Sequence, residues 1–134
     1  MKRIIRLYYC IVLIVLSFSC DKPKENFTAN SPDSNIHVEF GLSKSGQPFY
    51  LVTQKNKTVI DSSYIGFDFK DLPSLKDNFK IVSSSMASND ETWQMPWGEQ
   101  LDVRDNYNEL VISLEEQSEL KRQLTIHFKV YNDG

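Results

Sequence analysis

The chain has 134 residues, with 18 acidic against 15 basic side chains and a formal net charge of −3. That balance excludes the basic stripe a nucleic-acid-binding surface needs. Its two cysteines, Cys10 and Cys20, lie at the extreme N-terminus, so the remainder can form neither an internal disulfide nor a thiolate zinc site.

In chain order, Lys2, Arg3 and Arg6 precede an uncharged run, LYYCIVLIVLSFS, that ends against Cys20. A positive segment followed by a short apolar one has the form of an export signal and is short for a membrane span. Small Ser19 directly before Cys20, with polar DKPKENFTANSP after it, resembles the lipobox of bacterial lipoproteins. The alternatives are an ordinary signal peptide or an anchor helix that happens to contain cysteine. The lipobox reading makes residues 1–20 a lipoprotein signal peptide and Cys20 the acylated residue. It places the protein in the cell envelope, at the outer membrane or in the periplasm, held to the membrane by the lipid. Beyond that segment, twelve basic residues face 18 acidic ones, a net of −6, which disfavours broad contact with anionic head groups and leaves the tethering to the acyl chain.

Residues 21–33, with Pro23, Pro32, lysines, Asn and Ser, read as a flexible tether, and residues 34–134 as one domain. NIHVEFGL puts Ile36, Val38, Phe40 and Leu42 on one face and His37 and Glu39 on the other, the period-two pattern of a half-buried strand. SKSGQ supplies a turn through Gly46, PFYLVTQ returns, and KNK turns again into a short TVID. YIGFDFK alternates Ile65, Phe67 and Phe69 inward, and the breaker cluster DLPSLKD separates it from NFKIVSSS. NELVISLEE and RQLTIHFKVY, with Leu110, Ile112, Leu114 and then Leu124, Ile126, Phe128, Val130 in register, form an antiparallel hairpin across the polar QSELK. No stretch sustains a 3.6-residue stripe, so the expected class is all-β: an antiparallel β-sandwich. The closing Asn132-Asp133-Gly134 is a turn signal, from which the domain is expected to be incomplete at its C-terminal end, with inward residues such as Phe128 and Val130 left uncovered.

The chemistry-bearing residue types are sparse. His37 and His127 sit on polar phases far apart in sequence, and no G-x-S-x-G, phosphate loop or H-E-x-x-H occurs. The unusual stretch is ETWQMPWGEQLDVRDNYNEL, which holds both tryptophans, Trp93 and Trp97, around Met95-Pro96, together with Glu91, Glu99, Asp102, Asp105 and Glu109. It reads as a rigid aromatic and acidic loop. Catalysis by paired carboxyls would need two of these acids at fixed separation with one pKa raised, and a charge-rich loop is ordinarily just solvated. Flat indoles beside acids and amides suit the C–H face of a sugar; equally, both indoles could plug the end of the sandwich.

The ordered series SPDSNIHVEFGLSKSGQPFYLVTQKNKTVIDSSYIGFDF, TWQMPWGE, YNEL and LTIHFKVYNDG, spanning about Ser31 to Gly134, resembles the start of family 97 glycoside hydrolases. Those are bacterial α-glucosidases and α-galactosidases, abundant in polysaccharide-degrading Bacteroidetes. The resemblance implies that the sandwich is part of a β-supersandwich N-terminal domain followed by a catalytic (β/α)₈ barrel. It also implies a calcium ion at the active site and an α-linked oligosaccharide as substrate. The family's acid, base or nucleophile and calcium ligands lie beyond Gly134, so no catalytic or metal-binding residue carries over and the chain is expected to be inactive by itself, without a cofactor of its own. The positions expected at the contact with barrel or substrate are Trp93, Trp97, Glu99, Arg104, Tyr107 and Asn108. The competing reading is a free-standing carbohydrate-binding or surface-interaction lipoprotein.

Overall fold

A computed structural model describes residues 26–99 and 101–134. Cys20 and the rest of the N-terminal signal lie outside the described residues. Among the described residues seven strands run in chain order: β1 (Phe27–Asn30), β2 (Ile36–Leu42), β3 (Pro48–Gln54), β4 (Lys57–Tyr64), β5 (Phe79–Gln94), β6 (Asp102–Glu116) and β7 (Gln123–Val130). They form two antiparallel meanders, β1-β2-β3-β4 and β5-β6-β7, stacked as a sandwich.

The period-two pattern sets the inner faces. In β2, Ile36, Val38 and Phe40 are buried, while His37 and Glu39 alternate to the other side. In β6, Leu110, Ile112 and Leu114 are buried and lie opposite Phe128, Ile126 and Leu124 of β7. Phe128 reaches across to the first sheet, its ring 6.0 Å from Phe40 and 5.8 Å from Tyr50. Turn chemistry closes the strands as the residue types require: Lys55 and Asn56 both take positive φ in the two-residue β3–β4 turn. Gly46 (φ 74°) lies against the start of β5, where a Cβ would meet the Phe79 nitrogen at 2.7 Å. Its carbonyl accepts from Phe79 N at 3.0 Å, so this turn ties the two sheets together.

Several expectations are corrected. The stretch read as a tether already contains β1, which pairs with β2 and buries Ala29; backbone pairing and one small apolar side chain outweigh the polar composition. The short TVID strand is an eight-residue strand, β4, paired with β3 across a bulge and largely exposed. Phe67 and Phe69 do not point into the core. Their segment belongs to no sheet and makes only an isolated bridge, Phe67 to Leu75, because the breakers that follow leave it no partner strand. Val130 is covered rather than open, whereas Val59 and Ile60 on β4 and Val82 and Met86 on β5 are among the large apolar side chains left exposed.

The segment between the sheets, residues 65–78, is tied at its ends by backbone hydrogen bonds, Ile65 N to Pro48 O and Asn78 N to Ser45 O, and across its middle by Arg122. Arg122 donates from Nε and Nη2 to both carboxylate oxygens of Glu116 (2.8 and 2.7 Å), and from Nη1 and Nη2 to the carbonyls of Pro73 and Ser74 (2.7 and 2.8 Å). The guanidinium also lies 5.8 Å from the Phe69 ring centroid. Hydrogen bonding from Arg122, against the opposing effect of burial, brings the Glu116 carboxyl down to about 2.

Candidate interaction site on the long hairpin

The aromatic and acidic stretch is not an irregular loop. β5 and β6 pair continuously from Phe79–Glu116 out to Gln94–Asp102, apart from one bulge at Ile81–Ser83. Pro96 and Gly98 break regular structure only at the tip, where Met95 N donates to Leu101 O at 2.8 Å and Gly98 takes φ 137°. At about 3.3 Å per residue the two strands make an arm roughly 50 Å long. β7 supports it only as far as Asn108. Beyond that the hairpin runs on with most side chains exposed.

Alternation along the strands divides the six predicted residues. Trp93, opposite Val103, shares the outer face with Tyr107, while Arg104 and Asn108 occupy the inner face continuous with Leu110 and Ile112. Trp97 and Glu99 sit at the tip. The structure therefore does not gather the six into one pocket; it distributes them over two faces and the end of a convex arm. Neither indole plugs the sandwich, since Trp93 is 48% and Trp97 84% exposed.

On the inner face, cross-strand hydrogen bonds stiffen the free length. Arg104 makes a bidentate pair with Asp90 (2.7 and 2.8 Å), which lowers the Asp90 pKa through that hydrogen bond. Gln94 donates to Asp102 at 3.1 Å and Ser88 to Asn108 at 2.7 Å, and Asn108 Nδ2 donates to the Asn30 carbonyl of β1 at 2.8 Å, pinning the arm's root to the other sheet.

The outer face carries partners that the linear sequence did not single out. Tyr131, just past β7, donates to Asp105 Oδ1 at 3.0 Å, and its ring centroid is 5.2 Å from that of Tyr107. Accepting this bond gives Asp105 a stake in the protonated phenol, which raises the Tyr131 pKa. Lys129 Nζ sits 4.3 Å from the Tyr107 ring centroid, and its pKa is raised chiefly by its hydrogen bond to Tyr107. Asn89 donates to the Asp105 carbonyl at 2.9 Å, and His127 Nδ1 is 2.9 Å from Glu109. The period-two phase of FKVY, which puts Lys129 and Tyr131 on one side, was the available signal; knowing that they meet Tyr107 required the β6–β7 register.

Among the described residues no group of three or more His, Cys, Asp or Glu side chains is placed to hold a metal ion. Of the acids in the stretch, Asp102, Asp105 and Glu109 lie along β6 and are engaged by Gln94, Tyr131 and His127 respectively. The model of the glycosyl-hydrolase 97 N-terminal region matches residues 29–134. The chain belongs to glycoside hydrolase family 97. Among solved structures, a family 97 enzyme from Pseudoalteromonas sp. in complex with acarbose is 34% identical with a TM-score of 0.74; the match covers 79% of this chain and 16% of that one. A structure from the same source in complex with panose matches at 33% identity and a TM-score of 0.73 over the same shares. A β-arabinopyranosidase, at 22% identity and a TM-score of 0.69, shows likeness of fold. The chain thus spans about a sixth of the length of the solved enzymes it matches, and it corresponds to the family's non-catalytic N-terminal region.

Proposed function

We propose that the long hairpin of this family 97 region packs against a catalytic (β/α)₈ barrel in the same polypeptide and helps to wall its active-site mouth, in an enzyme hydrolysing α-linked glucosides or galactosides. The observation that carries this reading is an arm stiffened by side-chain pairs along its free length and ending in a nearly fully exposed indole, Trp97. A soluble surface gains nothing from holding a large apolar group out on a rigid arm, whereas a docking surface does. The calcium ion implied by the family does not fit the described residues, so its ligands would come from elsewhere in the longer chain. Cys20 would carry the lipid that holds the enzyme in the cell envelope.

The test is Trp97→Ala in the full-length enzyme. The expected result is a kcat/KM reduced about tenfold, equivalent to about 1.4 kcal/mol of lost transition-state stabilisation, with unchanged melting. Unchanged kcat/KM would refute the contact. The free-standing binding-lipoprotein reading uses the same exposed indole; it predicts saturable quenching of tryptophan fluorescence by an α-linked oligosaccharide with the present chain alone.

A further inference from the structure

The end of the sandwich opposite the arm is the end at which the chain enters the domain. Phe27 at the start of β1 pairs with Phe40, Gly41 with Phe49, and Phe49 with Tyr64, so β4 ends in the same cross-strand row. From there residues 65–78 cross to the start of β5, past the β2–β3 turn and beside the β6–β7 turn. This segment presents an apolar group to solvent. The exposed rings of Phe67 and Phe69 stack with centroids 6.4 Å apart, and Leu72 is 64% exposed. The β6–β7 turn, joined to the segment through Arg122, adds exposed Leu120. The same end is electrically balanced. Its turns and strand ends, residues 43–47, 65–80 and 115–122, carry six basic and six acidic side chains, whereas residues 21–134 carry a net −6. Lys76 pairs with Asp68, Lys80 with Glu115 and Arg122 with Glu116.

We propose that this end of the sandwich rests on a lipid bilayer, with Phe67, Phe69 and Leu72 entering the boundary between head groups and acyl chains. The proposal rests on the reading of Cys20 as the lipid-bearing residue. Chain length sets the geometry. β1 begins at Phe27, so only six residues, 21–26, separate Cys20 from the first strand. Six residues span at most about 20 Å even when fully extended. A lipid on Cys20 therefore keeps the row that starts at Phe27, and the segment that leaves from it, close to the membrane. At that distance the meeting of patch and bilayer is intramolecular, and a few apolar side chains suffice where an untethered protein needs a larger face. A neutral end also escapes the repulsion from anionic head groups that the net charge of the whole domain brings. β6 runs from the arm's tip to Glu116 at this same end, so the contact points the arm away from the membrane. Trp97 then stands roughly 50 Å from the lipid, at about 3.3 Å per residue of strand.

Photolabelling from within the bilayer tests this. The full-length protein, isolated with its N-terminal lipid, is placed in phosphatidylcholine vesicles whose acyl chains carry a carbene precursor. Mass spectrometry then identifies the N-terminal modification and maps the labelled residues. Apolar side chains at such a contact reach about 5–10 Å into the boundary, so peptides covering residues 65–78 should take at least about ten times the label of those around Trp97. Leu72→Asp should remove most of that label while the N-terminal lipid stays in place. An acylated protein with residues 65–78 unlabelled would overturn the contact and leave the anchor standing. An N-terminus without lipid would refute the anchor, and the contact with it. Equal labelling of the segment and the arm's tip would overturn the proposal, since the protein would then lie along the bilayer. Undiminished label in Leu72→Asp would overturn it too, because the tether alone would then account for proximity to lipid.

Discussion

Replacing Trp97 and, separately, Ile112 by alanine distinguishes a docking indole from a core one. Ile112 is fully buried at the centre of β6, between Ser84 of β5 and Ile126 of β7. Ile112→Ala removes three buried carbons, about 0.8 kcal/mol each in transfer free energy. A cavity of about 80 Å³, at about 24 cal/mol per Å³, adds up to roughly 2 kcal/mol if the walls do not relax. The expected loss is about 3–4 kcal/mol, a large part of the roughly 5–15 kcal/mol that holds a domain folded. At about 4–8 °C per kcal/mol for a domain near this size, the melting temperature should fall by roughly 12 °C or more. Trp97 is the larger residue, yet at 84% exposure its removal takes little surface out of a packed environment. Trp97→Ala should therefore cost within about 0.5 kcal/mol, under about 4 °C. Thermal unfolding of the present chain followed by circular dichroism measures both. A fall for Trp97→Ala approaching that for Ile112→Ala would show that the indole is packed in the domain, and the argument for a docking tip would fail.

Acid sensitivity should centre on Glu116, whose carboxyl is brought from its ordinary 4.5 to about 2 by Arg122. Because the folded value is the lower one, the stabilisation is present above about pH 4.5 and is lost as pH falls toward 2. Glu116→Gln should melt lower than the parent at pH 7, with the gap closing by pH 2; a gap of constant size would refute the assignment. Cys20→Ser should abolish acylation and release the protein into a soluble fraction, and continued partitioning into detergent would show that the lipobox reading is wrong. The present chain should not hydrolyse p-nitrophenyl α-glucoside or α-galactoside with or without calcium, since hydrolysis needs two placed carboxyl groups. Calcium-dependent turnover above that of a Glu99→Gln, Glu109→Gln control would return the chemistry to the hairpin.

Local alternation was enough to determine the strand class and the inner faces of β2 and β6. A period of two ties each side chain to one face whatever the partner is, so Ile36, Val38, Phe40, Leu110, Ile112 and Leu114 were legible as core before any pairing was known. The family, too, was legible from the ordered motifs. Three things depended on contacts between residues distant in the chain. Whether Phe67 and Phe69 face in or out turns on a partner strand, and none runs beside them. Whether residues 91–110 form a loop or a hairpin turns on the register of β5 with β6, which keeps Trp93 opposite Val103 and confines the breakers to the tip. Tyr107 meets Lys129 and Tyr131 because β7 lies beside β6, and Arg122 closes on Glu116, Pro73 and Ser74 because the inter-sheet segment folds back over the β6–β7 turn. Alternation is a property of one strand and survives in the linear sequence. Register and edge exposure are properties of pairs of strands, set by which backbone groups find partners, and only the folded chain decides them.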